Sequence, residues 1–315
     1  MPMTSAYWSE AVDPRVRESF FLGFSGNDRY QSMIPRLYGM RTSTFADEKV
    51  LGIGGLAATG WNFEDSGRLQ EGEAVKGYEK TFNHTEFGKK ISATRKLIDD
   101  NRIPELLDMS GQLGDAAFRV RETAAAKVFI NAFSAATATS LDDYGTDVVG
   151  PDAVALGSAA HPTSPMDSTA QANEGVLALS AANVSTTRQL MGATLDMNGD
   201  LLNVMPDEIL VPPELEDTLL TIIKSQLDPA SVNNAINPQA GRFTPIVWNY
   251  LTDSTAWFMM DSGLRRQQLR WYDRVPLTLG APVTDSTGTL IVTWPAYMRF
   301  SLGWTDWRFV YCQNG

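Results

Sequence analysis

EILVPPELEDTLLTIIKS, Glu208 to Ser225, joins a short β-type run to a helix through a double proline. Ile209, Leu210 and Val211 read as a strand that Pro212–Pro213 ends. A helix follows, with Leu215, Leu219, Ile222 and Ile223 on its apolar side. Strand, tight turn and helix is also how many α/β enzymes hold a phosphate on free helix amides. Here the chemistry opposes a ligand. Pro213 has no N–H, and Glu214, Glu216 and Asp217 place negative charge at the positive helix end, with Lys224 at the other. An external phosphate would be repelled, so the stretch is expected to be a self-capped joint in a scaffold.

Upstream, RIPELLDMSGQLGDAAFRVRETAAAKVFINAFSA predicts one long helix over about 103–135. Leu106, Met109, Leu113, Ala117, Val120, Ala124 and Val128 recur at steps of three and four. Phe118, Phe129 and Phe133 add a second apolar stripe, and Pro104 fits the first turn. Gly111 and Gly114 weaken a helix and mark a bend or a close approach near its start. Residues 136–179 read as loop. Ser180 is placed to cap a helix running to about Leu195, with Val184, Thr187, Leu190 and Met191 inward, and Asn198–Gly199 is a turn. From 264 the sequence turns β-rich. Met298, Phe300, Leu302 and Trp304 alternate with polar residues, Thr305–Asp306 fits a turn, and Trp307, Phe309 and Tyr311 alternate on a return strand. Residues 51–95, in contrast, are glycine-rich and charged with scattered aromatics, and only Phe87, Lys89, Ile91 and Ala93 alternate. A polar hairpin without its own core needs another surface to lie on. Residues 1–50 read as an arm with short helical pieces.

Composition narrows function. The 315 residues carry a net charge of −11, which argues against a broad basic surface for nucleic acid. A single cysteine, Cys312, excludes an intramolecular disulfide framework, and it reads as a structural thiol. No apolar run is long enough to span a bilayer and no secretory signal opens the chain, so a soluble protein of a reducing cytosol is expected. The two histidines, His84 and His161, are far apart and lack a nucleophile motif or further metal ligands. Asp99–Asp100 and Asp142–Asp143 read as solvated acids. Gly52 to Ala57 fits G-x-G-x-x-A, yet no helix pattern follows it, so a glycine-rich hinge is preferred to a dinucleotide site. No catalytic residue, cofactor or metal is expected. An arm and a coreless hairpin suit a protein whose neighbours supply the missing surface.

The order VALGSAAHP, LSAANVSTTRQLM, DMNGDLLNVMPDEILVPPELEDTLLTIIKS, NYLTDSTAWFMMDSG resembles the major capsid proteins of tailed bacteriophages, which share the Hong Kong 97-type fold; the Mu-type major head subunit is the branch most like it. YMRFSLGWTDWRFVY is similar to that family's closing strands, and KKISATRKLIDD to the strand that leads into its long helix. At Gly157 related sequences often carry an aromatic residue, so local packing should differ there. The resemblance implies an α+β chain with an N-terminal arm (1–50), an extended loop (51–95) lying across a neighbour, a peripheral domain (96–180 and 264–315) and an axial domain (181–263). Subunit-interface candidates are Trp61, Phe63, Tyr78, Phe82 and Phe87 in or beside the loop, and Glu214, Glu216 and Asp217 in the axial domain. It further implies homo-oligomeric pentamers and hexamers in an icosahedral shell, assembled in the bacterial host cytoplasm. The implied partners are a separate scaffolding protein, a portal protein, decoration proteins in some relatives, and packaged double-stranded DNA in weak non-specific contact. No membrane partner and no crosslink are implied. Two alternatives stay open: an encapsulin-like nanocompartment shell enclosing enzyme cargo, and a dinucleotide-dependent enzyme using Gly52 to Ala57.

Overall fold

The computed structural model describes residues 12–25, 31–57, 72, 74–94, 96–97, 100, 102–134, 149–227, 236–284 and 291–315. In chain order come helices α1 (Asp13–Phe24) and α2 (Ile34–Leu37), then strands β1 (Gly39–Thr42), β2 (Asp47–Leu56), β3 (Ala74–Asn83) and β4 (Thr85–Thr94). The long helix α3 (Ile103–Ile130) follows, then β5 (His161–Ser164), β6 (Asp167–Gln171), β7 (Glu174–Gly175), α4 (Ala181–Gly192) and β8 (Glu208–Val211). A 3-10 turn at Pro213–Leu215 opens α5 (Glu216–Lys224). The chain closes with β9 (Thr244–Val247), β10 (Ala256–Met260), α6 (Ser262–Gln268), β11 (Leu269–Leu279), β12 (Val283–Thr284), β13 (Ile291–Trp304) and β14 (Val310–Asn314).

Two five-stranded sheets carry the fold. The first runs β1-β11-β13-β12, with β4 antiparallel to the other edge of β13; the second runs β7-β14-β10-β8-β9. The expected return strand after Thr305–Asp306 is therefore not a hairpin partner of β13. The corner hands the chain to the second sheet, where β14 pairs with β10 from Ala256↔Asn314 to Met260↔Val310. Burial of both strand faces explains the mistake. Val310 and Cys312 are as buried as Phe309 and Tyr311, so alternation could not name the pairing partner.

The second sheet lies between two cores. On one face Leu210, Ile246, Phe258 and Met260 meet Ala124 to Phe129 of α3 and Trp271 and Phe300 of the first sheet. On the other, Ile209, Val211, Trp257 and Met259 meet Leu219, Ile222 and Ile223 of α5 and Val184 and Met191 of α4. The apolar face read for α5 is thus its packing face. Ser180 caps α4 as expected, its Oγ accepting from the Asn183 N–H at 3.2 Å. Leu190 and Met109, both placed inward by periodicity, are instead 46 % and 41 % exposed. Helix α3 stops at Ile130 rather than 135, and Asn131 to Phe133 form a turn.

A third core joins the arm to α3. Val16 with Ser110, Phe20 with Gly114 and Phe24 with Phe118 approach in rising order, so α1 runs parallel to α3. Ser110 Oγ donates to Val16 O and Ser19 Oγ to Leu107 O, both at 2.7 Å. A Cβ built on Gly114 would stand 2.0 Å from Phe20 O, so the glycine is needed for this approach. Gly157 is constrained by side chains: its missing Cβ would meet Cys312 Cβ at 2.9 Å and Phe133 Cε1 at 3.3 Å. Phe133 fills the space an aromatic at 157 would need.

Candidate subunit interface

Strands β2 and β3 form a separate two-stranded sheet, registered from Asp47↔Asn83 to Leu56↔Ala74. The register slips between Leu51 and Ile53 and again between Ile53 and Leu56, so the glycine-rich segment bends a strand. Gly52 to Leu56 lie within that strand and do not form the strand-to-helix turn that a pyrophosphate requires, which overturns the dinucleotide reading. The hairpin is shorter than 51–95. It begins at Asp47, and Thr85–Thr94 belongs to the first sheet, pairing with β13 from Phe300↔Thr85 to Ile291↔Thr94.

The hairpin root rests on its own chain. Phe82 is 2 % exposed and tilts against Tyr272 with ring centroids 5.2 Å apart. Phe87 stacks on Phe300 at 4.6 Å. Phe82 is thus buried within its own subunit, while Phe87 stays half-buried beside an open cleft. Their partners arrive with β11 and β13, far along the chain, and so could not be read locally. Lys80 Nζ donates to Val149 O at 2.7 Å, and Asn198 Nδ2 donates to Gly55 O at 2.8 Å. Tyr78 is half-buried; burial first, and the Asp152 carboxylate second, hold its phenol above the usual value. Leu51 and Leu56 remain exposed along the hairpin and Phe45 just before it, which the sequence reading missed because they are scattered rather than periodic. Trp61 and Phe63 lie outside the described residues. An apolar cleft of about 160 Å³ opens between α3 and the first sheet, lined by Phe87, Leu113, Ala117, Val120, Leu277 and Met298.

Glu214, Glu216 and Asp217 stand exposed around the start of α5. No side chain caps that start by a hydrogen bond, which corrects the self-capped reading; the Leu215 N–H closes the 3-10 turn on Pro212 O at 3.2 Å, and the acids act through charge alone. Glu214→Gln should therefore shift stability by no more than about 0.5 kcal/mol. Ser180→Ala, which removes a capping bond, should cost about 1 kcal/mol; paired urea melts separate the two.

The fully buried His161 ring stacks on Trp307 at 4.5 Å, its Nδ1 lies 2.6 Å from Asp152 Oδ2, and the Arg308 guanidinium covers Trp307 at 4.9 Å. Among the described residues no group of three His, Cys, Asp or Glu could hold a metal. Cys312 is buried, and burial pushes its thiol well above the usual value, away from thiolate chemistry. Among the described residues no helix is long and apolar enough to cross a membrane.

A family model described as phage capsid protein matches residues 78–313. No curated protein sequence matches the chain. Solved structures share its fold at low identity. A structure from Microbacterium phage Oxtober96 is 13% identical over 90% of each chain, with a TM-score of 0.52. A virus-like particle from Pyrococcus furiosus is 10% identical over 96% of this chain and 99% of that one, at 0.53. The procapsid of bacteriophage JBD30 is 12% identical over 99% of this chain and 76% of that one, at 0.51.

Proposed function

The chain belongs to the phage capsid protein family and has the Hong Kong 97-type fold, and from that premise we propose that its copies form pentamers and hexamers that tile an icosahedral shell around double-stranded DNA. Its role is that of a major capsid protein, and copies of it assemble with one another. The observation that carries the reading is the family match over most of the chain, on a fold that sets a two-stranded hairpin apart from its two main sheets.

The hairpin lies across a neighbouring subunit, where Leu51 and Leu56 have apolar surface to cover and the cleft beside Leu113 and Val120 offers it. The second sheet with α4 and α5 forms the axial body that turns toward the ring centre, and the exposed acids at the start of α5 face solvent or the next subunit. The first sheet with α3 forms the peripheral body. The charge of −11 keeps packaged DNA from being held tightly. A scaffolding protein, a portal protein and decoration proteins complete the partner set, and assembly takes place in the host cytoplasm.

Negative-stain microscopy of the expressed chain, with and without a co-expressed scaffold, tests this. Rings, tubes or shells are expected, and a monodisperse monomer under every condition overturns it. Copurified enzyme cargo without DNA would move the reading to a nanocompartment, a fold-mate suggested by the likeness to the Pyrococcus furiosus particle.

A further inference from the structure

One residue, His84, joins β3 to β4, and it is buried where the hairpin meets the body. Its Nε2 lies 3.1 Å from Ser43 Oγ and its Nδ1 lies 2.9 Å from Ser301 Oγ. The directions of these bonds follow from their neighbours. Ser43 has one hydroxyl hydrogen, and it goes to Glu48 Oε1 at 2.6 Å, because a carboxylate only accepts. Ser43 Oγ therefore accepts from His84 Nε2–H, and it also accepts from the Phe45 N–H at 3.2 Å. Nδ1 is then a bare lone pair that accepts the Ser301 hydroxyl. The result is a one-way chain from Ser301 of β13, through His84, to Ser43 and to Glu48 of β2. It fastens both roots of the hairpin to the first sheet and is complete only when the imidazole is neutral.

We propose that His84 is a proton-responsive pin, holding the hairpin root to the body when neutral and loosening it on taking up a proton. Protonation puts a hydrogen on Nδ1, facing the Ser301 hydroxyl. Ser301 must then turn its own hydrogen away, in a position only 3 % exposed. The surrounding charges are mixed. Arg299 of β13, whose Nε also donates to His84 O at 3.3 Å, and Arg274 of β11 oppose the cation; Glu48 and Asp47 of β2 favour it. Burial is the largest influence, and with the two arginines it outweighs Glu48 and Asp47 and holds the ring below the usual histidine value. The neutral form is thus the one the closed root selects, and an opened root takes up the proton more readily.

The test is hydrogen exchange on the full-length chain, read as protection corrected for the intrinsic rate, from about pH 7.5 down to about pH 5.5, a window spanning the ordinary histidine range. Between the ordinary value and the lowered one, protection in 47–56 and 74–83 should fall by up to tenfold per pH unit while β10 and β14 hold constant. His84→Gln should remove this dependence, because its amide can donate to Ser43 and accept from Ser301 in either condition. Ser301→Ala removes the hydroxyl that donates to Nδ1 and so raises the closed-root value toward the ordinary one; the loss should begin at the same pH but level off at a higher pH, with a smaller total fall. That variant decides the matter if His84→Gln does not fold. Protection that is flat with pH, or that falls equally in His84→Gln and is unmoved by Ser301→Ala, overturns the proposal. No shell is needed for the measurement, so its outcome is separate from that of the micrographs.

Discussion

Arg265→Leu should cost the fold about 3–5 kcal/mol, measured as the loss of unfolding free energy in urea. Arg265 is fully buried in α6 and ties three parts of the chain together. Its Nε donates to Glu208 Oε2 at 2.9 Å, its Nη2 lies 2.7 Å from the same oxygen, and its Nη1 donates to the Arg36 carbonyl at 2.9 Å and to the Leu37 carbonyl. Glu208 begins β8, and Arg36 and Leu37 end the short helix α2, so one guanidinium fixes the arm to the second sheet. Burial is the largest influence and lowers its pKa, against which Glu208 raises it. Leucine would fill much of the volume but leave the Glu208 carboxylate without a counter-ion and two main-chain carbonyls without their donor. The loss should therefore come from the stranded groups, not from packing. A double variant, Arg265→Leu with Glu208→Leu, should be less damaged than Arg265→Leu alone, since paired removal takes away the buried charge. A single-variant loss under about 1 kcal/mol would mean that water reaches Glu208 and that the pair is not a structural tie.

What could be read from the sequence was what rests on side-chain periodicity and capping chemistry. The apolar face of α5, the Ser180 cap and most of the α3 face depend on residues three or four apart, and each is where the pattern put it. What could not be read depends on distant backbone. Phe82 and Phe87 looked like unclaimed surface because Tyr272 and Phe300 reach them only through strand pairing late in the chain. The buried Arg265–Glu208 and His161–Asp152 pairs left no signal, since charged residues ordinarily read as solvated. Of the interface candidates, the acids at the start of α5 were legible as exposed charge, while the lack of a side-chain capping bond there was not, because capping is a matter of geometry at one Ncap residue. The docking of α1 was hidden for another reason. Its seam is made of Ser19, Gly23, Ser110, Gly111 and Gly114, and small residues carry no hydrophobic periodicity.

That seam sets the second large expectation. Gly114→Val should undock the arm helix from α3. Adding a Cβ at 114 puts a carbon 2.0 Å from Phe20 O and 2.8 Å from Phe24 N, and both are backbone atoms of a helix that cannot yield by changing a rotamer. Relief requires α1 to move away as a unit. Moving it breaks the Ser110 to Val16 and Ser19 to Leu107 bonds and exposes Val16 and Phe20, which are fully buried. Burial of two such side chains is worth about 3–6 kcal/mol at roughly 1.5–3 kcal/mol each, more than the intrinsic helix gain of about 0.5 kcal/mol from replacing glycine. The rest of the molecule should stay folded, because the two larger cores, which hold both sheets and α3, take only the partly buried Phe24 from α1. Limited chymotrypsin digestion should therefore cut at Phe20, Phe21 or Phe24 in the variant and not in the parent, while the spectrum of the remaining fold is retained. Gly192→Ala is the control, at the last residue of α4 with no atom within 4 Å of the new carbon, and it should be neutral or mildly stabilising. An arm that stays protected in Gly114→Val would show that α1 is held by contacts other than this seam, and the parallel packing of α1 on α3 would lose its explanation.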